Sequence, residues 1–592
     1  MAALFTTPKR NDNTSGVHFA EPDVRRRTLL AHGSWRRVTR RIVAGAVCAL
    51  TVSSLLMPSV SLAAEWVDVG GTQYYAAAGD EAGTWSWDGA DDMKLNGYDG
   101  GTIKAAGKLN LSYGGDNTVT NNNGRGILVE DGANENAELN IQGGASDTLN
   151  VTSSSDAIIS IGDINIDGAG TVNATSTGFD AIDAKGDLII KGSGNVNATG
   201  DSDGIRAGGN ITIDNSGTVT AKAFEEKGIQ ANENLTIKGG GKVEASSIED
   251  EAIWASGNIE ISDASQVKAS SEEDYAVEAK GSLTVTNASL NATGVGYGIY
   301  VYEGITLDHA TVTVRASSDS DEVLALYTDE DDIVIKNGST VDAFAEGKFS
   351  VAISTRNCST NGAGGHIYIS DSVVKAIARY VETDGGPDHY SNDQGGEAIP
   401  EHKGVNLGIY ASTYEGITPA TISIVRSKVT AEGDTAAIFA LVTSEDGKAI
   451  GTIEIKDATI QTPAGGKVID YRSKGEFDDG GVFYEAGQTI GTGDATIDSP
   501  YDTAVAKSTV IAPPEETKPE EKPGETKPEG PKPGSKSEGT KMTKTVAVAT
   551  TGVKATGKLA ATGDASSAVV VATALAGTAA IAAGAVVSRK RS

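Results

Sequence analysis

Residues able to do chemistry recur at a fixed interval in this sequence. Two positions before the apolar residue of each "GI" or "AI" corner stand Asp156, Asp180, Asp203, Lys227, Glu251, Tyr275 and Tyr297. One position after it stand Ile159, Asp183, Arg206, Gln230, Trp254, Glu278 and Tyr300. Carboxylates stacked at strand spacing repel one another unless they are solvated, paired with cations or bound to a metal. Oxygen donors of this kind suit Ca²⁺, and Asp156, Asp180 and Asp203, with Asp201 of "DSDG", are the candidate ligands. The sequence holds no complete EF-hand or nonapeptide calcium motif, and a solvated column of turn carboxylates is the competing account. The second set fits a polysaccharide surface. Aromatic faces stack on pyranose rings, and polar neighbours bond the hydroxyls. Asp183, Arg206, Gln230, Trp254, Glu278 and Tyr300 are therefore expected to face outward and bind glycan. The alternative is that Trp254 and Tyr300 pack against a neighbouring turn.

Catalysis has less support. Polysaccharide cleavage needs paired carboxylates at a set separation, or calcium with a basic residue. Asp180, Asp183 and Arg206 could gather on one face, but adjacent strands pair charges for structural reasons too. The six histidines are scattered and form no triad. Of two cysteines, Cys48 lies in the N-terminal apolar stretch, which leaves Cys358 without a partner for a disulfide or a metal. The loop from Arg379 to Gly404, with His389, His402 and several acids, departs from the repeat and is the best place for a chain-specific function, with a plain acidic surface loop as the favoured account.

The elements that must position these residues are repeats. The corner residue falls at Ile103, Ile127, Ile158, Ile182, Ile205, Ile229, Ile253, Val277 and Ile299, with steps of about 22–24 residues from Ile158 onward. Irregular copies follow near Leu324, Ile353, Ile409 and Ile438. Two more markers keep step. An "ITI" element recurs from Ile164–Ile166 to Ile453–Ile455, and an "xVxA" element from Val172 to Val429. Each period thus holds three short alternating strands with Gly, Asn, Asp or Ser corners. No run carries the spacing of three and four that a helix needs. The pattern predicts an all-β protein, a single-stranded parallel β-helix with three sides over residues 101–465. About a dozen coils stacked at about 4.8 Å make a rod on the order of 60 Å long. Trp66, Trp85 and Trp87, in segment 65–100, are expected to cap the first coil, and 466–512 to form an irregular C-terminal cap.

Composition and the two ends suggest where this solenoid works. The 592 residues carry a formal net charge of −31, which argues against nucleic acid as a partner. Residues 1–64 read as an export signal, a basic region followed by the apolar run from Ile42 to Leu62. Prolines among Glu and Lys over 513–558 predict an extended, disordered stalk. Residues 559–592 combine Leu559-Ala560-Ala561-Thr562-Gly563, an apolar run long enough for a membrane helix, and a basic tail. That order resembles the sorting signal of Gram-positive surface proteins. The resemblance implies sortase cleavage between Thr562 and Gly563 and attachment of Thr562 to peptidoglycan. Membrane contact would then be confined to the precursor's C-terminal helix, and the mature chain would be extracellular and anchored to the cell wall. Ala560 stands where the commonest motif has Pro.

From roughly Thr84 to Glu432, "TWSWDG…LNGYDGGTIKA" and the iterated "DGIRAGGNITI" figure resemble the carbohydrate-binding β-helix domain family first described from clostridia. The resemblance implies binding of acidic plant-wall polysaccharide, and bound calcium. Lys227 interrupts the acidic column that a continuous calcium ladder would need. The expectation is a wall-displayed carbohydrate-binding adhesin with a polysaccharide or host or plant glycan as partner. A polysaccharide lyase or hydrolase and a non-enzymatic surface spacer are the alternatives.

Overall fold

The computed structural model describes residues 64–513, apart from 133–135, 264–265, 319–321, 358–363, 382–405, 414–419, 434–435, 443–451, 463–467, 477–481, 491–494, 499–502 and 506–507. The export signal, the stalk, Leu559, Thr562 and Gly563 with the rest of the sorting segment, Cys358, and His389 and His402 all lie outside the described residues. Among the described residues every regular element is a strand, and no helix is long and apolar enough to cross a membrane.

One coil shows why the sequence folds this way. Ile205–Ala207, Ile211–Asn215 and Thr218–Lys222 are its three strands. Ile205, Ala207, Ile211, Ile213, Val219 and Ala221 all point inward and are buried, because alternation sends every second side chain to one face. The short strands leave no room for cover on both faces, so the chain closes on itself around the apolar one. The next coil repeats the register. Ile205 pairs with Ile182 and Ile229, Ile213 with Ile190 and Ile237, and Val219 with Val196 and Val243, all parallel. Like residues therefore stack in columns and form one continuous core, in which each buried Ile or Leu contributes roughly 2–3 kcal/mol. The three strands of this coil belong to three sheets, called here the first, second and third in chain order.

The corner between the second and third sheets shows how the turn is made. Earlier coils put Gly there in the left-handed region, as at Gly168 and Gly192, with φ of 127° and 101°. Later coils put Asp263, Asn287, His309, Asn337, Asp371, Arg426 and Asp457 in the same region, with φ between 44° and 56°. Asn and Asp tolerate that conformation better than other side chains. Coils also approach closely at Gly208, where an added Cβ would fall 2.1 Å from the carbonyl oxygen of Lys185.

Both ends of the stack are closed by antiparallel strands. Trp66–Val69 pairs antiparallel with Ile103–Ala106, and Trp85–Trp87 with Asp92–Asn96. Trp85 and Trp87 are buried in the core, while Trp66 is half-buried. At the other end the chain turns back. Ala495–Asp498, Thr503–Val505 and Ser508–Ala512 lie antiparallel against the last coils of the second, first and third sheets.

One marker of the sequence pattern is misplaced. Leu324 is opposite Tyr297, and Leu326 is the residue opposite Ile299. Leu324 thus stands in the outward corner column, two residues before the core residue as Tyr297 does, and joins a small apolar cluster on the outside of the first sheet. Val312 supplies the third-sheet column between Leu290 and Val341, a member the pattern had skipped.

Candidate functional site

The two predicted columns meet along the first sheet and the corner that enters it. Asp156, Asp180 and Asp203 stack in consecutive coils, but they are not solvated: their exposures are 6%, 4% and 2%. Cations and backbone donors relieve them. Arg125 Nε lies 2.9 Å from Asp156 Oδ2, and Arg206 reaches Asp180 Oδ2 at 3.5 Å and Asp203 Oδ2 at 3.9 Å. The Asp203 amide donates to Asp180 Oδ1 at 3.0 Å, and the Lys227 amide donates to Asp203 Oδ1 at 2.9 Å. Burial, then the nearby Asp180 charge, pushes the Asp203 carboxyl up to about 7. With its amide turned to donate, Gln230 also reaches Asp203, at 2.9 and 3.2 Å. Asp201 is half-exposed on the turn and does not join this cluster.

Lys227 replaces the carboxylate in the next coil and draws acids to itself. Its Nζ lies 2.6 Å from Asp250 Oδ2, 3.3 Å from Glu251 Oε2 and 3.8 Å from Glu226 Oε2. Burial alone would lower the ammonium's affinity for its proton, and the surrounding carboxylates more than offset this. Glu251 is pushed well above the usual carboxylate range by burial and by its contacts with Asp250 and Glu278. Asp250 lies below its usual range, since the Glu251 and Lys227 hydrogen bonds outweigh its burial. The two neighbouring carboxyls are thus pushed in opposite directions.

The outward row is divided. Arg206, Gln230, Trp254 and Tyr300 are half-exposed, but Asp183 and Glu278 are buried. This corrects the expectation that all six face solvent. Both buried carboxylates are covered by the lysine two residues further along the strand: Lys185 pairs with Asp183, and Lys280 with Glu278. Lys280 also sits 4.1 Å from the Tyr302 ring centroid and 5.9 Å from that of Tyr300. Strand register places Trp254 beside Glu278, and Glu278 beside Tyr300. A carboxylate clamped by an ammonium group thus forms the floor between two aromatic side chains.

Tyr300 does not stand alone. It stacks on Tyr327 with centroids 5.4 Å apart and planes at 10°, and Tyr275, Tyr297 and Tyr302 lie within 5.6 Å of it. Burial, then the Tyr302 hydroxyl, holds the Tyr300 phenol well above its ordinary value. Sequence reading named Tyr300 and missed this cluster. The signal was present, because Tyr275 and Tyr297 follow one another in the acidic column.

For a metal, the geometry selects a different trio from the predicted one. One carboxylate oxygen from each of Asp156, Asp180 and Asp183 lies within 4.8 Å of the others. Asp183 Oδ1 is buried and accepts no hydrogen bond, which fits a cation beside it. Three such oxygens are about half of a calcium coordination shell, and water would have to complete it. Asp250, Glu251 and Asp274 form a second trio, with Lys227 already against it. Comparison with protein-family models, with curated proteins and with solved structures finds no match to this chain.

Proposed function

We propose that this chain is a cell-surface carbohydrate-binding adhesin, displayed from a Gram-positive cell wall on its β-helix and acting without catalysis. The observation that carries the reading is the half-exposed row Arg206, Gln230, Trp254 and Tyr300 on consecutive or next-neighbour parallel strands. A sugar ring can stack on Trp254 while Gln230 and Arg206 bond its hydroxyls. The basic and apolar leader, the Pro-rich stalk and the segment around Thr562 support display through sortase and peptidoglycan. Calcium belongs to the proposal at Asp156, Asp180 and Asp183, where the orphan Asp183 oxygen supports it.

A glycan array probed with the full-length chain, with and without chelator, tests the reading. Binding to a glycan class, weakened at least tenfold by Trp254→Ala, is expected. Absence of binding to every glycan would leave a surface spacer. One observation favours a polysaccharide-cleaving enzyme as a second reading: Asp250 and Glu251 bring carboxylate oxygens within 4.8 Å of each other and of Asp274 and are pushed in opposite directions, the inequality between carboxyls that acid catalysis uses. Release of reducing ends or unsaturated products from a bound glycan would establish it.

A further inference from the structure

Five of the chain's 17 tyrosines gather at one place on the outside of the first sheet. Tyr275 and Tyr297 stand two residues before the core residues Val277 and Ile299, which pair in consecutive coils. Their ring centroids are 4.6 Å apart with planes at 62°, the shortest separation in the group. At that distance the edge of one ring is in van der Waals contact with the other. Tyr300 lies 5.6 Å from Tyr275 and 5.2 Å from Tyr297, and Tyr302 and Tyr327 lie 5.0 and 5.4 Å from Tyr300. Tyr275, Tyr297, Tyr300 and Tyr302 are half-exposed, so small solutes reach their rings.

Two of these phenols already face a proton acceptor. The Tyr297 hydroxyl donates to Glu322 Oε2 at 2.9 Å, and the Tyr327 hydroxyl donates to Asp329 Oδ1 at 2.7 Å. A phenol gives up an electron far more readily when a base within hydrogen-bond distance takes its proton in the same step. Contact between the rings then lets the electron vacancy pass among all five. Among the described residues there is no cysteine, so no disulfide joins one described coil to the next.

We infer that Tyr275 and Tyr297 form a site of oxidative cross-linking, where a one-electron oxidant converts the pair into a dityrosine that ties two consecutive coils together. Each phenol gives up one electron and its hydroxyl proton, Tyr297 to Glu322 and Tyr275 to water. The two phenoxyl radicals join through a new bond between their ortho carbons. Each of those carbons then releases its hydrogen as a proton and each oxygen takes one up, which restores both hydroxyls. The net change is the loss of two electrons and two protons. With a haem peroxidase as the oxidant, they reduce one hydrogen peroxide to two waters. The bond closes the loop from Tyr275 to Tyr297, one full coil, and so restricts the unfolded chain. It does not depend on glycan binding at Trp254.

The test illuminates the full-length chain at low concentration with ruthenium tris(bipyridine) and persulfate, a source of one-electron oxidant that works without a peroxidase. The monomer should gain dityrosine fluorescence and lose the mass of two hydrogen atoms. Its digest should contain a cross-linked pair of peptides that joins Tyr275 to Tyr297. Tyr275→Phe, which keeps the ring, should abolish that pair with an unchanged melting temperature. Glu322→Gln, which cannot take the proton, should slow its formation about tenfold. The cross-linked chain should also unfold at a higher denaturant concentration than the untreated one. Cross-links between other tyrosines in its place, a product that survives Tyr275→Phe, cross-linked dimers alone, or no dityrosine would each overturn the inference. An unchanged rate in Glu322→Gln would overturn proton transfer to that carboxylate.

Discussion

Lys227 Nζ lies 3.3 Å from Glu251 Oε2 one coil further along, at the point where the sequence swaps an acid for a base in the corner column. Column position makes this a buried contact rather than a surface one. Removing the ammonium leaves Glu226, Asp250 and Glu251 facing one another with no cation. Lys227→Met is expected to cost about 3 kcal/mol, read as a lowered midpoint in denaturant. Lys227→Met/Asp250→Asn should recover a large part of that loss, because it removes the carboxylate 2.6 Å from the ammonium. If the double variant is no more stable than Lys227→Met, the contact is not coupled as described.

The Asp203 carboxyl gives the fold a pH dependence of defined sign. Its folded value of about 7 is above the value of about 3.9 for an unfolded aspartate. Between those limits the folded chain keeps a proton that the unfolded chain has lost, so stability falls as pH rises from about 4 to 7. Below about 4 the penalty is absent. Carboxyls held low, such as Asp371 beside Arg426, act in the opposite sense and only as pH drops into the acid range. Subtracting the profile of Asp203→Asn from that of the wild type isolates the Asp203 contribution. A difference that stays flat from pH 4 to 7 would contradict it.

Backbone geometry at Asn287 yields a stability prediction independent of charge. With φ at 49°, the residue occupies the left-handed region that a β-carbon disfavours. Asn287→Ala should cost about 1 kcal/mol, and Asn287→Gly should be near neutral, since the strain it relieves offsets its added chain entropy. Thermal melting of the two variants side by side checks the order.

How much of this was legible beforehand depends on what each feature requires. The coil at Ile205, Ile211, Ile213 and Val219 could be read because period and alternation are properties of one strand and its repeat. Leu324 was misplaced because the step to this coil is longer than the 22–24 residues of its predecessors, and only pairing with Ile299 in the neighbouring coil identifies Leu326 as the core residue. Asp183 and Glu278 were assigned to the correct face of the strand. Their burial arises from Lys185 and Lys280 folding over them and, at Glu278, from Trp254 and Tyr300 in the adjacent coils, which alternation does not encode. The Asp156, Asp180, Asp183 trio brings a corner column and a strand row within reach of each other, although reading by columns treats the two as separate.

The C-terminal return is where the stack ends, and its removal should change how the molecule associates. Ser508–Ala512 lies antiparallel against Lys428–Glu432, with Ile511 opposite Val429 and Ile460. Ile511 is fully buried and belongs to the main core, so it fastens the return strand over the last coil. A parallel stack without such a strand presents unpaired N–H and C=O groups to any second copy. Ile511→Asp buries a charge that has no cation beside it and should detach the return strand, while the coils further back, held by their own columns, stay folded. Light scattering should then show dimers or larger species that grow with concentration, with little change in β-sheet circular dichroism. Ile511→Val, which keeps the apolar contact, should remain as the wild type. A monomeric Ile511→Asp variant with an intact sheet signal would mean that the edge is protected by something other than this strand.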